Sequence, residues 1–381
     1  MQEQLMNAHL AYLVNRTNVL DEYTWERDKV YSEFGNHLIP SRIPMTALVS
    51  GPLGRSPFPG GTPSVGKPFF DKVCPVSERT ILRSSDLSDH LQGASALTVA
   101  EAWAERIRGI EGRCVEVDIE GFQIFNFFLF GSAHHLLPIW PSYSESPSLT
   151  QFRWSPLITN ALVKNRDLIH PDIIHTSYLG LREEEVKPLK GLLALHIRRG
   201  DYEEHCRNLE GWGSRYQGFN EFPEFLDHFD PDSSGNRTAA YLEHCYPSIP
   251  QILARVHFIR REYESLPHPH PPLPLSSASF FPLRRLDRVY MLTNGKGEWL
   301  EELTRGLEGL GGWVDEEPIR TSRDLGRRLG KEERGVAQAV DMAIAQRAEV
   351  FVGNGFSSLT SNVNTLRMAQ QKARPESMRF W

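Results

Sequence analysis

The chain has 381 residues, 40% hydrophobic and 24% charged, with a formal net charge of −6. This composition excludes a disordered, collagen-like or membrane-spanning chain, and the acidic balance excludes a nucleic-acid binder that works by broad phosphate neutralisation. The length favours two domains with a cleft between them, so any phosphate site has to be local.

The chain opens in a helix, with Leu5, Ala8 and Tyr12 on one stripe and Met6, Leu10 and Leu13 beside it. A turn at Asn15-Arg16-Thr17 leads into Val19-Leu20. A doubly wound domain starts with a strand and a tight turn, and neither precedes this helix. Residues 40–67, rich in Pro, Gly and Ser, read as a long irregular connection. Thr98, with Glu101 three residues on, makes a capping box for a helix through Trp103 and Ile107 to a stop near Gly109. Strands are expected at 114–117 and 122–130; the second is too short, and too interrupted by Gln123 and Asn126, to cross a bilayer. A helix is expected over 160–168. These elements form a first α/β domain over residues 1–180.

The second domain, 181–381, has a cleaner pattern. Leu192-Leu193-Ala194-Leu195-His196-Ile197 is a buried strand ending in Arg198-Arg199-Gly200-Asp201. A segment with Trp212, Tyr216, Phe219, Phe222 and Phe225 follows; its rings either line a groove or pack in the core. A Pro-rich surface loop is expected near 265–282. Strands follow at 289–292 and 312–314, with a helix over 299–310 between them. A helix over 335–347, with Val336, Val340 and Ile344 at i, i+4 and i+8, feeds a strand at 350–352. Strand–helix alternation predicts a parallel sheet, and ligands of such sheets sit beyond the carboxyl ends of the strands. That rule points to the residues after Ile197, Leu292 and Val352.

The strongest chemical signal is the run from Phe351 to Val363. A strand stops, Gly353 and Gly355 flank Asn354 in a sharp turn, and Ser357, Ser358 and Leu359 open the next helix. Unpaired N–H groups and serine hydroxyls at a helix start suit a diphosphate, although serine also serves as a plain N-cap. At the Leu192 strand, alternation puts His196 and Arg198 on one face and Ile197 and Arg199 on the other. An arginine there can bind phosphate bidentately and offset charge on a departing diphosphate; the alternative is a surface ion pair of Arg199 with Asp201 or Glu203. Asp341 could accept from a guanine edge or stand as a solvated helix residue. Asn294 either touches ligand or forms a turn. Glu204-His205-Cys206 and Glu243-His244-Cys245 repeat three letters, but no compact Cys-x-x-Cys pair supports zinc, so no metal is expected. The four cysteines form two disulfides in an oxidising compartment or stay thiols in a reducing one. Neither a Walker sequence nor a full Gly-x-Gly-x-x-Gly fingerprint is present, which weakens ATPase and dehydrogenase readings.

The strand ending His196-x-Arg198 and the later Phe351-Val352-Gly353-Asn354 followed by Ser357-Ser358 together resemble the GDP-fucose-dependent protein O-fucosyltransferases and α1,6-fucosyltransferases, and within them fungal O-fucosyltransferase-like proteins. The likeness is specific over about residues 190–367. It implies a GT-B architecture, two Rossmann-like domains facing across a cleft, and metal-independent inverting transfer of fucose from GDP-fucose to a protein or glycan hydroxyl. It also implies that Arg198 contacts the β-phosphate, that His196, Arg199 and Asn354 support the nucleotide site, that Ser357, Ser358 and Leu359 bind phosphate, and that Asp341 holds guanine. Members carry a Gly/Asn-rich loop before their first helix, and this chain starts at or just after that point, so a truncated N-terminal domain is expected. No general base is assigned; Asp201, Glu203 and Glu204 are the nearby acids. The alternative is a catalytically silent GDP-sugar-binding protein of the same fold. No secretory signal is visible. The compartment is left open between the ER/Golgi lumen, if a longer gene product supplies a signal or anchor, and the cytoplasm.

Overall fold

Residues 191–197 are all buried, which requires a strand covered on both faces, and it is the middle of a parallel sheet. The computed structural model describes residues 1–34, 37–51, 64–88, 90–118, 123–174, 186–232, 235–266, 284–314 and 319–381. The boundary near residue 180 and most of the Pro-rich loop near 265–282 lie outside them.

In the N-terminal half, α1 (Gln2–Leu13) leads into β1 (Asn18–Leu20), which pairs in parallel with β2 (Ser64–Gly66); β3 (Thr80–Arg83) is followed by α2 (Ala96–Arg108) and pairs in parallel with β4 (Val115–Asp118). The C-terminal sheet comprises β5 (Leu189–Ile197), β6 (Arg288–Thr293), β7 (Ile319–Thr321), β8 (Ala348–Gly353) and β9 (Met378–Phe380), in the order β7-β6-β5-β8-β9 and parallel throughout. The chain builds outward from β5 to β7 and then crosses to β8 on the other side. The topological switch point is therefore the crevice between the carboxyl ends of β5 and β8, where open α/β sheets bind ligands.

Side-chain alternation divides the core in two. Leu193, Leu195, Ile197, Val289, Met291, Val350 and Val352 pack on one face with α5 (Ile249–Ser265) and α6 (Gly297–Gly309). Leu192, Ala194, Tyr290 and Phe351 pack on the other with α7 (Ser322–Arg328), α8 (Ala337–Arg347), α9 (Ser358–Leu366) and the N-terminal half, whose Leu5, Trp103 and Trp154 share the same apolar cluster. Polar ties reinforce that junction: Trp154 Nε1 donates to Gln346 Oε1 at 2.6 Å, and Gln2 Nε2 donates to Ser361 Oγ.

Several expected elements differ. Residues 123–130 contain no strand; Asn126 Oδ1 accepts from the N–H groups of Phe128 and Leu129 and starts a short helix, Phe127–Phe130. Asn126, read as an interruption, is a cap. Residues 312–314 form no strand either, because Gly311 and Gly312 take φ of 65° and 76° and turn the chain back, letting Trp313 Nε1 donate to Leu307 O at 2.9 Å. The edge strand is β7 instead. Ser95, not Thr98, caps α2: its Oγ accepts from Thr98 N–H. The helix expected over 160–168 is two, Pro156–Lys164 and Arg166–Ile169, because Asn165 Nδ2 donates to Ala161 O and ends the first. The connection over 40–67 holds short strands at Arg42–Ile43 and Val49–Ser50 besides β2; residues 52–63 lie outside the described residues.

The cysteines form Cys74–Cys114 and Cys206–Cys245, spanning 40 and 39 residues of sequence. The second pair joins α3 (Tyr202–Gly211) to α4 (Arg237–Cys245), so the repeated Glu-His-Cys triplets do meet, with both sulfurs bonded to each other. Closing loops of this length constrains the unfolded chain by about 4 kcal/mol in the chain-entropy model, and typical measured gains are about 2–4 kcal/mol. Replacing Cys206 and Cys245 together by serine is expected to lower the urea-unfolding free energy by about 2–4 kcal/mol; an unchanged midpoint would show that the pair does not form.

Candidate functional site

The two arginines that end β5 part company as alternation requires. Arg199 is 6% exposed. Its guanidinium lies 4.2 Å from the Tyr246 ring centroid and 4.3 Å from that of Trp299, and it donates to Pro247 O. Burial lowers its pKa to about 10, which leaves it cationic at neutral pH. The alternative, a surface ion pair of Arg199 with Asp201 or Glu203, is not formed, because the side chain belongs to the apolar face; Glu203 pairs with Arg207 at 3.0 Å and Asp201 stands 3.8 Å from Arg198. Asn294 holds the ends of β5 and β6 together, its Oδ1 accepting from Arg199 N–H at 2.7 Å and its Nδ2 donating to Arg199 O at 2.9 Å. Arg199 and Asn294 are thus occupied within the fold.

Arg198 shares the face of His196. Its side chain is one-third exposed, its guanidinium lies 5.0 Å from the Tyr202 ring centroid, and its Nε is buried with no hydrogen-bond partner among the described residues. His196 is buried, with Nδ1 3.0 Å from Thr360 Oγ1, and burial together with the Arg198 charge lowers its pKa to about 3. It is neutral at physiological pH.

Across the crevice, the turn after β8 is fixed by polar contacts. Thr360 Oγ1 also accepts from Asn354 N–H at 3.1 Å; Asn354 Nδ2 donates to Cys245 O and its Oδ1 accepts from Phe356 N–H. Asn220, fully buried, donates from Nδ2 to Gly355 O and Ser357 O and accepts at Oδ1 from Asn364. Asn354 is therefore a support of the turn, with both its amide nitrogen and its amide oxygen engaged. Neither Gly353 nor Gly355 has positive φ. A Cβ at Gly353 would stand 2.2 Å from Thr360 Cγ2, and one at Gly355 would stand 2.3 Å from Tyr216 Cδ1. Protein packing accounts for both glycines, so they carry no evidence of a ligand.

Ser357 is the N-cap of α9, with Oγ accepting from Leu359 N–H at 3.2 Å; Ser358 beside it is exposed and Leu359 half-buried. Asp341 is 9% exposed, not solvated: its two oxygens accept from Tyr290 Oη–H and Ser322 Oγ–H, each at 2.7 Å. Burial raises its pKa to about 6, and the two hydroxyls oppose that shift. Of the aromatic segment, Tyr216, Phe219, Phe222 and Phe225 are core residues and Trp212 alone is exposed. Among the described residues no group of three or more His, Cys, Asp or Glu side chains is arranged to hold a metal ion.

Sequence reasoning missed Thr360, which lies inside the Phe351–Val363 run but carried no separate signal, and Asn220, which looks like any loop asparagine. Their importance comes from contacts 164 and 135 residues away in sequence.

No protein-family model and no curated protein matches the chain. Solved structures do. A crystal structure of POFUT1 in complex with GDP-fucose superposes with a TM-score of 0.54 at 15% identity, covering 98% of this chain and 92% of that one. POFUT1 in complex with GDP gives 0.54 at 14% identity, with 100% and 94% coverage, and a high-resolution GDP complex gives 0.51 at 15%, with 99% and 93%. At this identity the likeness shows the fold, which is GT-B.

Two outcomes test this geometry. Gly355→Ala should cost about 1–3 kcal/mol in urea unfolding, because the Tyr216 ring it meets is itself packed on all sides. His196 binds its proton more weakly folded than unfolded, so its contribution is complete above pH 6.5 and lost, at about 1.4 kcal/mol per pH unit, as pH falls towards its depressed value. His9, lowered to about 4, acts in the same sense, whereas Asp341, raised to about 6, opposes them between pH 4 and 6. His196→Gln should flatten the slope of unfolding free energy against pH between 6.5 and 4; an unaltered slope would contradict a buried neutral imidazole.

Proposed function

We propose that this chain is an inverting, metal-independent fucosyltransferase that moves fucose from GDP-fucose to a protein or glycan hydroxyl. One observation carries the reading. Of the two arginines at the switch point, Arg199 is held in an aromatic sandwich, and Arg198, one-third exposed, has a single loose carboxylate partner among the described residues, on the face of the serine-opened helix. The shared fold with POFUT1, whose solved structures contain GDP-fucose or GDP, supports the choice of donor.

In this reading the β-phosphate lies against Arg198, and Ser357, Ser358 and the first-turn N–H groups near Leu359 take the remaining phosphate oxygens. His196 stays neutral behind them and, through Thr360, sets the turn. Asp341 accepts from guanine with the lone pairs that Tyr290 and Ser322 leave free. The acceptor hydroxyl oxygen bonds to the anomeric carbon from the face opposite the diphosphate and gives up its proton to solvent. The carbon–oxygen bond to the β-phosphate breaks, its electron pair departs onto GDP, and Arg198 offsets the developing charge. No metal is assigned a part.

A silent GDP-sugar-binding protein is the second reading, favoured by the nearby acids: Asp201 and Glu203 are each engaged with a cation, Arg198 and Arg207.

Titration calorimetry decides the donor. GDP should bind and ADP should not, and Arg198→Ala should weaken GDP by about tenfold or more, the worth of a charge-assisted hydrogen bond. Arg199→Ala should chiefly lower the unfolding midpoint, with the folded fraction binding GDP within a few-fold of the parent. Equal loss of affinity in both variants, per folded molecule, would sink the assignment of Arg198. Release of GDP from GDP-fucose that depends on an added acceptor separates the enzyme from the silent protein.

A further inference from the structure

The two disulfides have nearly equal spans and very different surroundings. Cys74–Cys114 closes 40 residues of the N-terminal half, where the Cys74 and Cys114 carbonyls accept from Arg79 Nε and the Thr80 N–H. Cys206–Cys245 closes 39 residues and joins α3 to α4 beside the switch point. Loop closure is therefore the same for both, and any difference in what they do for the site comes from their contacts.

The helices that the second bridge joins hold both strand ends. α3 opens at Tyr202, on whose ring the Arg198 guanidinium rests at 5.0 Å. α4 ends at Cys245, and its carbonyl, left over from the last helical turn, accepts from Asn354 Nδ2 at 2.7 Å and so holds the turn after β8. The two residues that follow hold the end of β5, with the Tyr246 ring 4.2 Å from the Arg199 guanidinium and Pro247 O accepting from it. Helices this short have little stability of their own. α3 has 10 residues and buries Cys206 and Leu209; α4 has 9 and buries Ala240, Tyr241 and Cys245. Each half-cystine is thus one of the few anchors of its helix, and Cys206, four residues after Tyr202, shares its face of α3.

We infer that the Cys206–Cys245 bridge is a positioning element of the donor site: it clamps α3 to α4 and thereby sets the separation of Arg198 from the serine-opened turn. Groups already fixed at the right separation lose less freedom when a diphosphate binds across them. Both half-cystines are fully buried, so the bridge acts as a permanent brace. Its effect on GDP rests on the fucosyl-transfer reading; its hold on the two strand ends rests on the contacts alone.

GDP calorimetry on the full chain tests it with two double variants, Cys206→Ala with Cys245→Ala, and Cys74→Ala with Cys114→Ala. Per folded molecule, the first should bind GDP about tenfold more weakly than the parent and the second within about twofold of it, although both lose the same loop closure. Equal affinity in all three proteins, or an equal loss in both variants, would overturn the positioning role. Should the first variant not fold, the parent protein answers in a dithiothreitol buffer, where the dithiol closes to its cyclic disulfide as a bridge takes up two electrons and two protons. Coupling is reciprocal, so saturating GDP should make Cys206–Cys245 about tenfold harder to reduce and leave Cys74–Cys114 unchanged, as read by alkylation and mass spectrometry. No shift, or the same shift at both bridges, would overturn the proposal. Hydrogen exchange without nucleotide keeps the two readings apart, since residues 353–360 should exchange faster in the first variant than in the second. Faster exchange there, with no GDP binding by the parent, defeats the donor; GDP binding by the parent, with exchange and affinity alike in both variants, defeats the brace.

Discussion

A threonine hydroxyl joins the two halves of the switch point. Thr360 Oγ1 meets His196 Nδ1 at the end of β5 and the N–H of Asn354 at the end of β8, and it does so from the first turn of α9. Where parallel strands stop, their backbone groups lose ladder partners, and buried groups of that kind have to be satisfied by something else. Here that task falls to side chains from distant segments: Thr360, Asn354, Asn220 and Asn294. Once these bonds are made the turn has little freedom, and the start of α9, Ser358 and Arg198 are held at fixed separations. The depressed pKa of His196 follows from the same packing, since a ring sealed between two strand ends cannot hydrate a charge.

The arginines show how an acidic protein keeps a local basic site. Arg199 is held between two aromatic rings, and Arg367, 1% exposed, donates to the carbonyls of Ala345, Gln346 and Ala348. Arg379 is bound to Asp227 and Glu262. Each of these cations is neutralised or absorbed by the framework. Among the described residues Arg198 has only a distant carboxylate and a tyrosine ring, so its field is available at the crevice. Counting arginines in the sequence would give several equivalent candidates; burial separates them.

The N-terminal half shares an apolar cluster with one face of the C-terminal sheet, so residues such as Trp25 and Phe127 reach the helices that carry the serine turn. The described strands of that half form five two-stranded pairs, two parallel and three antiparallel, not a second full sheet.

Local pattern determined much of this protein. Alternation along 192–197 placed His196 and Arg198 opposite Arg199, the strand–helix rhythm gave a parallel sheet, and serines after a strand end marked the start of α9. These follow from neighbours in sequence, where periods of 2 and 3.6 act directly. Other features could not be read that way. Gly353 and Gly355 looked like turn residues beside a ligand, yet each is required by a side chain pressed against it. Residues 312–314 looked extended, yet two left-handed glycines and a tryptophan bond fold them back. Asp341, which could have been a solvated helix residue, is buried and accepts from Tyr290 and Ser322, which lie 51 and 19 residues away. Which polar group is left unpaired, and which arginine is left free, depends on contacts between segments far apart in the chain, and only the tertiary structure decides them.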